Sequence, residues 1–149
     1  MIPSYEPLGT LPPGIHVAAW ADMTSRFGTT GHRRALLGGL LRGTRILISC
    51  GCTGIYVDGS FVTSKTCPSD FDCCWEMQGV DLAALKKKES AFFSFANKRA
   101  VQRAKFFGEF FPAKHFADSH QRTFLDFFQQ DSHTGLAKGI IKVDLDTLP

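Results

Sequence analysis

The longest periodic stretch of the chain lies in its first third. Apolar side chains fall at Leu36, Leu37, Leu40, Leu41, Leu47 and Ile48, with Thr44 on the same stripe. This is the spacing of one helix face, and it predicts a helix over 32–49 with Thr29 or Thr30 as cap. Gly38, Gly39 and Gly43 weaken that helix by up to about 1 kcal/mol each relative to alanine. They also permit close packing on a sheet. Shorter helices are predicted over 20–27, 81–87 and 97–106. The last is capped by Asn97 and carries Lys98, Arg99, Arg103 and Lys105. Residues 1–15, with Pro3, Pro7, Pro12 and Pro13, read as an irregular extended arm.

Five short strands are predicted, over 55–57, 72–77, 109–112, 122–129 and 138–145. The turn-rich Ser132-His133-Thr134-Gly135 reads as a hairpin connector between the last two. In the second strand, alternation divides the side chains cleanly. Phe71, Cys73, Trp75 and Met77 face one way, toward a core. Asp70, Asp72, Cys74 and Glu76 face the other.

That polar face carries candidate chemistry. Asp70 and Asp72 lie roughly 6.5 Å apart along an extended chain, close enough to turn onto one or two ions. Hard carboxylate oxygens suit Mg²⁺ or Mn²⁺. Upstream, the apolar segment Gly54-Ile55-Tyr56-Val57-Asp58 ends at Gly59-Ser60. Glycine permits a sharp exit and close backbone approach, and the Ser60 hydroxyl and following amides can donate to a polyphosphate. A Gly-Ser pair alone is a common turn, and an Asp-x-Asp strand alone is commonly a solvated edge. The combination is what points to a site for phosphate and metal. The P-loop and dinucleotide fingerprints are both absent.

Size and composition narrow the picture only a little. The chain has 149 residues, long enough for one domain with a real core. Its net charge of +3 leans toward anionic partners without requiring them. No apolar run has the length of a membrane span, and no signal peptide is visible at the N-terminus. The five cysteines form neither a disulfide framework nor a zinc pattern, which fits a reducing, cytoplasmic setting. Eleven of the 14 phenylalanines lie between Phe92 and Phe128, and read as an aromatic core. The five histidines show no metal spacing.

The stretch from Asp58-Gly59-Ser60-Phe61-Val62-Thr63 to Ser69-Asp70-Phe71-Asp72 resembles the signature of the nucleotidyltransferase superfamily, to which DNA polymerase beta belongs. More closely, the chain resembles small bacterial nucleotidyltransferase-like proteins. Leu11-Pro12-Pro13-Gly14-Ile15-His16, Gly108-Glu109-Phe110-Phe111-Pro112-Ala113, Phe124-Leu125-Asp126-Phe127-Phe128-Gln129 and Lys138-Gly139-Ile140-Ile141 extend the likeness over nearly the whole chain. It implies an α+β fold, with a mixed sheet of about five strands and helices mainly on one face.

The resemblance also implies a third carboxylate on a neighbouring strand. Glu109, after the basic helix, is the first candidate. Asp126, on the strand predicted over 122–129, is the alternative. Lys65, Arg99, Arg103 and Lys138 are the candidate cations, with Arg103 and Lys138 preferred because they flank the resembling segments. Two functions follow. One is a Mg²⁺- or Mn²⁺-dependent transfer of a nucleoside monophosphate from a nucleoside triphosphate to a hydroxyl on protein or RNA. By analogy with small members of the superfamily, such an enzyme serves in a toxin–antitoxin or phage-defence pair. The other is a catalytically inactive binding module that regulates a partner protein. Larger relatives carry an extra helical domain that 149 residues can scarcely hold.

Overall fold

The computed structural model describes all 149 residues. A mixed five-stranded sheet is built from β1 (Gly14–Ala19), β2 (Ile55–Asp58), β3 (Phe71–Trp75), β4 (Gly108–Pro112) and β5 (Gly139–Asp144). The strand order is β1-β5-β2-β3-β4. The two outer pairs, β1 with β5 and β3 with β4, are parallel, and the two inner pairs are antiparallel. With five helices against this open sheet, the fold is α+β.

The predicted long helix is α2 (Gly31–Ser49), and the Thr30 hydroxyl accepts from the Arg33 amide at its start. Leu36, Leu37, Leu40, Thr44 and Leu47 are its buried stripe. Two of its glycines are there for close approach. A Cβ on Gly39 would lie 1.7 Å from the Phe106 carbonyl oxygen, and one on Gly43 would lie 2.4 Å from the Phe110 ring. α1 (Trp20–Phe27), α2 and α3 (Leu82–Lys88) bury Trp20, Met23, Phe27, Leu40, Leu47 and Leu85 in one large core. Phe71, Cys73, Trp75 and Phe110 meet them from the sheet. The alternation read from 70–77 therefore holds, with the helices mainly on the Phe71 face.

The opposite face carries a smaller cluster of Tyr56, Cys74, Phe111, Leu125 and Ile140. Its cover departs from expectation. Residues predicted as the strand over 122–129 contain instead the short helix α5 (Phe124–Phe127), with the Thr123 hydroxyl capping Asp126 N at 3.1 Å. Phe124 and Phe128 both pack on Phe111, at 4.8 and 4.9 Å between ring centroids. Two residues four apart share a helix face as readily as they share a strand face, so the apolar spacing misled. The expected hairpin shrinks to a single bridge, Gln130 to Ala137.

Two further corrections matter. The arm expected over 1–15 ends in β1, which begins at Gly14 and pairs with β5 over six residues. As an edge strand with Ile15 and Val17 exposed, it lacks the buried alternation that marks the others. The start of α4 (Ala96–Phe106) is not capped by Asn97. Asn97, Lys98 and Arg99 form a left-handed turn with φ of 52°, 55° and 59°, and the right-handed helix begins after them. Such backbone costs L-residues about 1–2 kcal/mol each and persists only where the surroundings enforce it.

Candidate metal and phosphate site

Three carboxylates form a row across three adjacent strands. Asp58, the last residue of β2, pairs with Asp72 on β3, and Asp72 pairs with Glu109 on β4. Directly opposite residues in such ladders hold their Cβ atoms about 5 Å apart. Asp70 precedes β3 by one residue and stands on the same side of the alternation. The row lies where β2 ends and β3, β4 and β5 begin, on the face opposite the helical core.

The four acids differ in environment. Asp58 is fully buried, and its Oδ1 has no hydrogen-bond partner, while the Cys74 thiol donates to Oδ2 at 3.5 Å. Burial pushes the Asp58 carboxyl well above the usual carboxylate range, with the Cys74 hydrogen bond and then Lys138 pulling the other way. Asp72 is likewise raised well above that range, first by burial and then by Asp58, Asp70 and Glu109. Asp70 is raised by burial and by Glu109, against Arg103 and Lys65. Like charges this close disfavour joint ionisation.

Glu109 is engaged by a cation. Its Oε1 accepts from Arg103 Nη1 at 2.9 Å. Arg103 also donates to the carbonyls of Asn97 and Lys98, so it braces the left-handed turn at the same time. With Glu109 so engaged, no three of these side chains converge as a ready metal cage. Asp126, the alternative third acid, is exposed in the first turn of α5 and outside the row.

Gly59 joins the turn to the acids. Its φ is +78°, and a Cβ there would lie 2.3 Å from Asp72 Oδ2. The space above Gly59 is therefore occupied by the Asp72 carboxylate, which ties the Gly-Ser turn directly to the Asp-x-Asp strand. Ser60 sits in a short 3₁₀ turn, Gly59–Val62, that follows β2.

Two clefts flank the row. Ser60, Lys65, Lys138 and His133 line a polar one of about 330 Å³, beside the β2 and β5 ends. Asp70, Arg103, His32, Ser69 and Phe107 line another of about 440 Å³. The candidate residues thus divide, with Ser60, Lys65 and Lys138 together and Asp70 with Arg103.

Sequence reading missed two groups. By local pattern Asp58 reads only as a strand end, although Tyr56 and Asp58 share a face by alternation. Its place in the row depends on which strand pairs with β2. Arg33 looks like a surface charge at a helix start, yet it is buried. It donates to the carbonyls of Phe27, Phe61, Thr63 and Lys65, and so fastens the segment after Gly59 to α2.

Fold and site together define an α+β protein whose mixed sheet gathers four carboxylates at one end, beside two clefts. A family model matches residues 3–144, and the chain belongs to that family, described as Family of unknown function (DUF6932). No curated protein and no solved structure matches the chain.

Proposed function

We propose that the protein is a metal-dependent nucleotidyltransferase. The observation that carries this reading is the row Asp58, Asp72 and Glu109, with Asp70 beside it and Gly59 pressed against Asp72. The donor set supports a hard divalent cation. Every candidate ligand is a carboxylate, and one oxygen of a buried carboxyl is unpartnered. Asp70, Asp72 and Glu109 would hold Mg²⁺ or Mn²⁺, which supplies charge neutralisation at the transferring phosphoryl group.

The chain's own residues would do the rest. Ser60, Lys65 and Lys138 bind the β- and γ-phosphates in the polar cleft. Glu109, once released by Arg103, accepts a proton from the attacking hydroxyl or orients it. Arg103 then becomes free to meet developing negative charge. The product is a nucleoside monophosphate joined to a hydroxyl of protein or RNA, and pyrophosphate leaves. A role in a toxin–antitoxin or phage-defence pair, with a partner protein, is part of the same proposal by analogy. So is a cytoplasmic setting. No helix is long and apolar enough to cross a membrane.

One observation favours a second reading, a binding module without turnover. Glu109 is neutralised by Arg103, and no three-ligand cage is drawn up. Incubation with each labelled nucleoside triphosphate, Mn²⁺ and a cell extract separates the two. Label on protein or RNA, lost in Asp70→Asn with Asp72→Asn, supports the enzyme. Nucleotide binding without label in any combination supports the module.

A further inference from the structure

Arg99 is packed among three aromatic rings and makes no side-chain hydrogen bond or ion pair. Its guanidinium stands 4.2 Å over the Phe111 ring, 4.9 Å from that of Phe95 and 5.5 Å from that of Phe124. A guanidinium carries five donors in a fixed fork. Here the Nε–H is buried and has no partner. None of the three ion pairs of the chain includes Arg99. The left-handed turn that presents it is held from behind by Arg103.

The surroundings specify what it faces. Phe111 follows Glu109 by two residues on β4, so the cage lies on the acid-row side of the sheet. The charges of Glu109 and Asp72 act on it, yet neither carboxylate pairs with it. Burial disfavours this cation, in the opposite direction to the carboxylates, and no protein hydrogen bond offsets the loss. Aromatic faces hold a guanidinium by cation–π attraction while leaving its in-plane donors free for a planar or tetrahedral anion. Phe95 is 52% exposed, so the cage is open to a ligand on that side.

We infer that Arg99 is a phosphate-binding residue of this site, placed on the β4 side of the carboxylate row. The identity of the anion rests on the reading given under Proposed function. In that reading the leaving pyrophosphate lies with Ser60, Lys65 and Lys138, beside β2 and β5. An in-line displacement puts the attacking oxygen on the opposite side. That is the side of Glu109 and Arg99. The phosphate on Arg99 is therefore one carried by the acceptor, adjacent to its attacking hydroxyl, as in a single-stranded oligonucleotide. Phe95 then offers a ring for the neighbouring base.

Three probes on the folded full-length protein test this: sodium pyrophosphate, a non-hydrolysable nucleoside triphosphate with Mn²⁺, and an oligoribonucleotide of about ten nucleotides. The variants are Arg99→Leu, which keeps apolar packing on the rings, and Arg99→Lys, which keeps charge without the fork. Circular dichroism and thermal melting establish that each is folded. Oligonucleotide affinity falls about tenfold to a hundredfold in Arg99→Leu and is only partly restored in Arg99→Lys, while triphosphate affinity holds. Loss confined to pyrophosphate and triphosphate would keep Arg99 as a phosphate residue and move its ligand to the donor. Unchanged affinity for all three in folded Arg99→Leu overturns the inference. If Asp70→Asn with Asp72→Asn still abolishes triphosphate binding, the transferase reading survives that result. Conversely, an Arg99-dependent oligonucleotide affinity in a protein that binds no triphosphate sinks the transferase reading and leaves Arg99 in place.

Discussion

Glu109 and Arg103 face each other across the tight turn between α4 and β4, with Oε1 and Nη1 at 2.9 Å. The pair is partly exposed, so its own contribution to stability is small. Its consequence is positional. The carboxylate that would complete the acid row is occupied by a cation from the last turn of α4, one that also donates to the carbonyls of that helix's strained start. Exchange of partners, Arg103 for metal, would join the metal site to that helix.

Arg103→Gln should therefore strengthen Mn²⁺ binding in the absence of nucleotide, because Glu109 is freed and a repelling charge is removed. An increase of about threefold to tenfold is expected, on the scale of one weakened ion pair. Titration followed by the Mn²⁺ electron paramagnetic resonance signal reads this directly. Weaker binding in a folded variant would mean that Arg103 supports the acids rather than competing for them.

The pH dependence of the metal-free protein should show the burial of Asp58 and Asp72. Both carboxyls are raised in the folded state, by burial first. The folded state then binds more protons than the unfolded one, so stability falls as pH rises above the ordinary carboxylate range toward the raised values. Asp58→Asn removes the more deeply buried of the two. It should flatten the profile and stabilise the metal-free protein near neutrality by about 1–3 kcal/mol. Chemical denaturation from pH 5 to 8 checks it, and a parent profile that rises with pH over that range would contradict the assignment.

How much of this was legible in the sequence depends on what each element relies on. α2 declares itself by periodicity and its Thr30 cap, and β3 by a clean two-residue alternation, so both were readable within a residue or two. β1 was hidden because an edge strand with two exposed apolar residues lacks a buried face. α5 was hidden because Phe124 and Phe128 satisfy either period. The acids followed the same division. Asp70 and Asp72 lie on one extended segment, at the entry to β3, and their shared side is visible from spacing alone. Asp58 belongs to the row only through the β2–β3 register, a long-range fact that no local pattern contains. Arg33 is distinguished by four backbone carbonyls from two segments, which carry no mark in the local sequence.

Substitution at the Gly-Ser turn should separate its structural part from its ligand part. Gly59→Ala places a Cβ against Asp72 at a φ of +78°, and should destabilise the fold by about 1–3 kcal/mol. Ser60→Ala introduces no such conflict, and should leave the unfolding midpoint unchanged while weakening triphosphate binding. The two are compared by urea unfolding and nucleotide titration. If Ser60→Ala binds triphosphate like the parent, the phosphates do not run along the cleft of Ser60, Lys65 and Lys138.

Arg33 offers the sharpest test of how the phosphate turn is held. It is only 4% exposed, yet its guanidinium makes four hydrogen bonds to carbonyls, three of them in Phe61, Thr63 and Lys65. It also lies 5.3 Å from the Phe61 ring centroid. Arg33→Met keeps much of the apolar stem and deletes every donor. Four carbonyls then lose a partner, and those that remain buried carry an uncompensated desolvation cost. A loss of about 2–4 kcal/mol is expected, and a rise in amide exchange should concentrate in the segment that follows Gly59 rather than in α1 or β5. Arg33→Lys should recover little, because a single ammonium cannot reach all four carbonyls of the two segments that the guanidinium fork joins. Uniform exchange across the chain would show that Arg33 supports the whole fold. A local increase, with weaker triphosphate binding and an intact core, would show that it holds the turn on which Ser60 and Lys65 are carried.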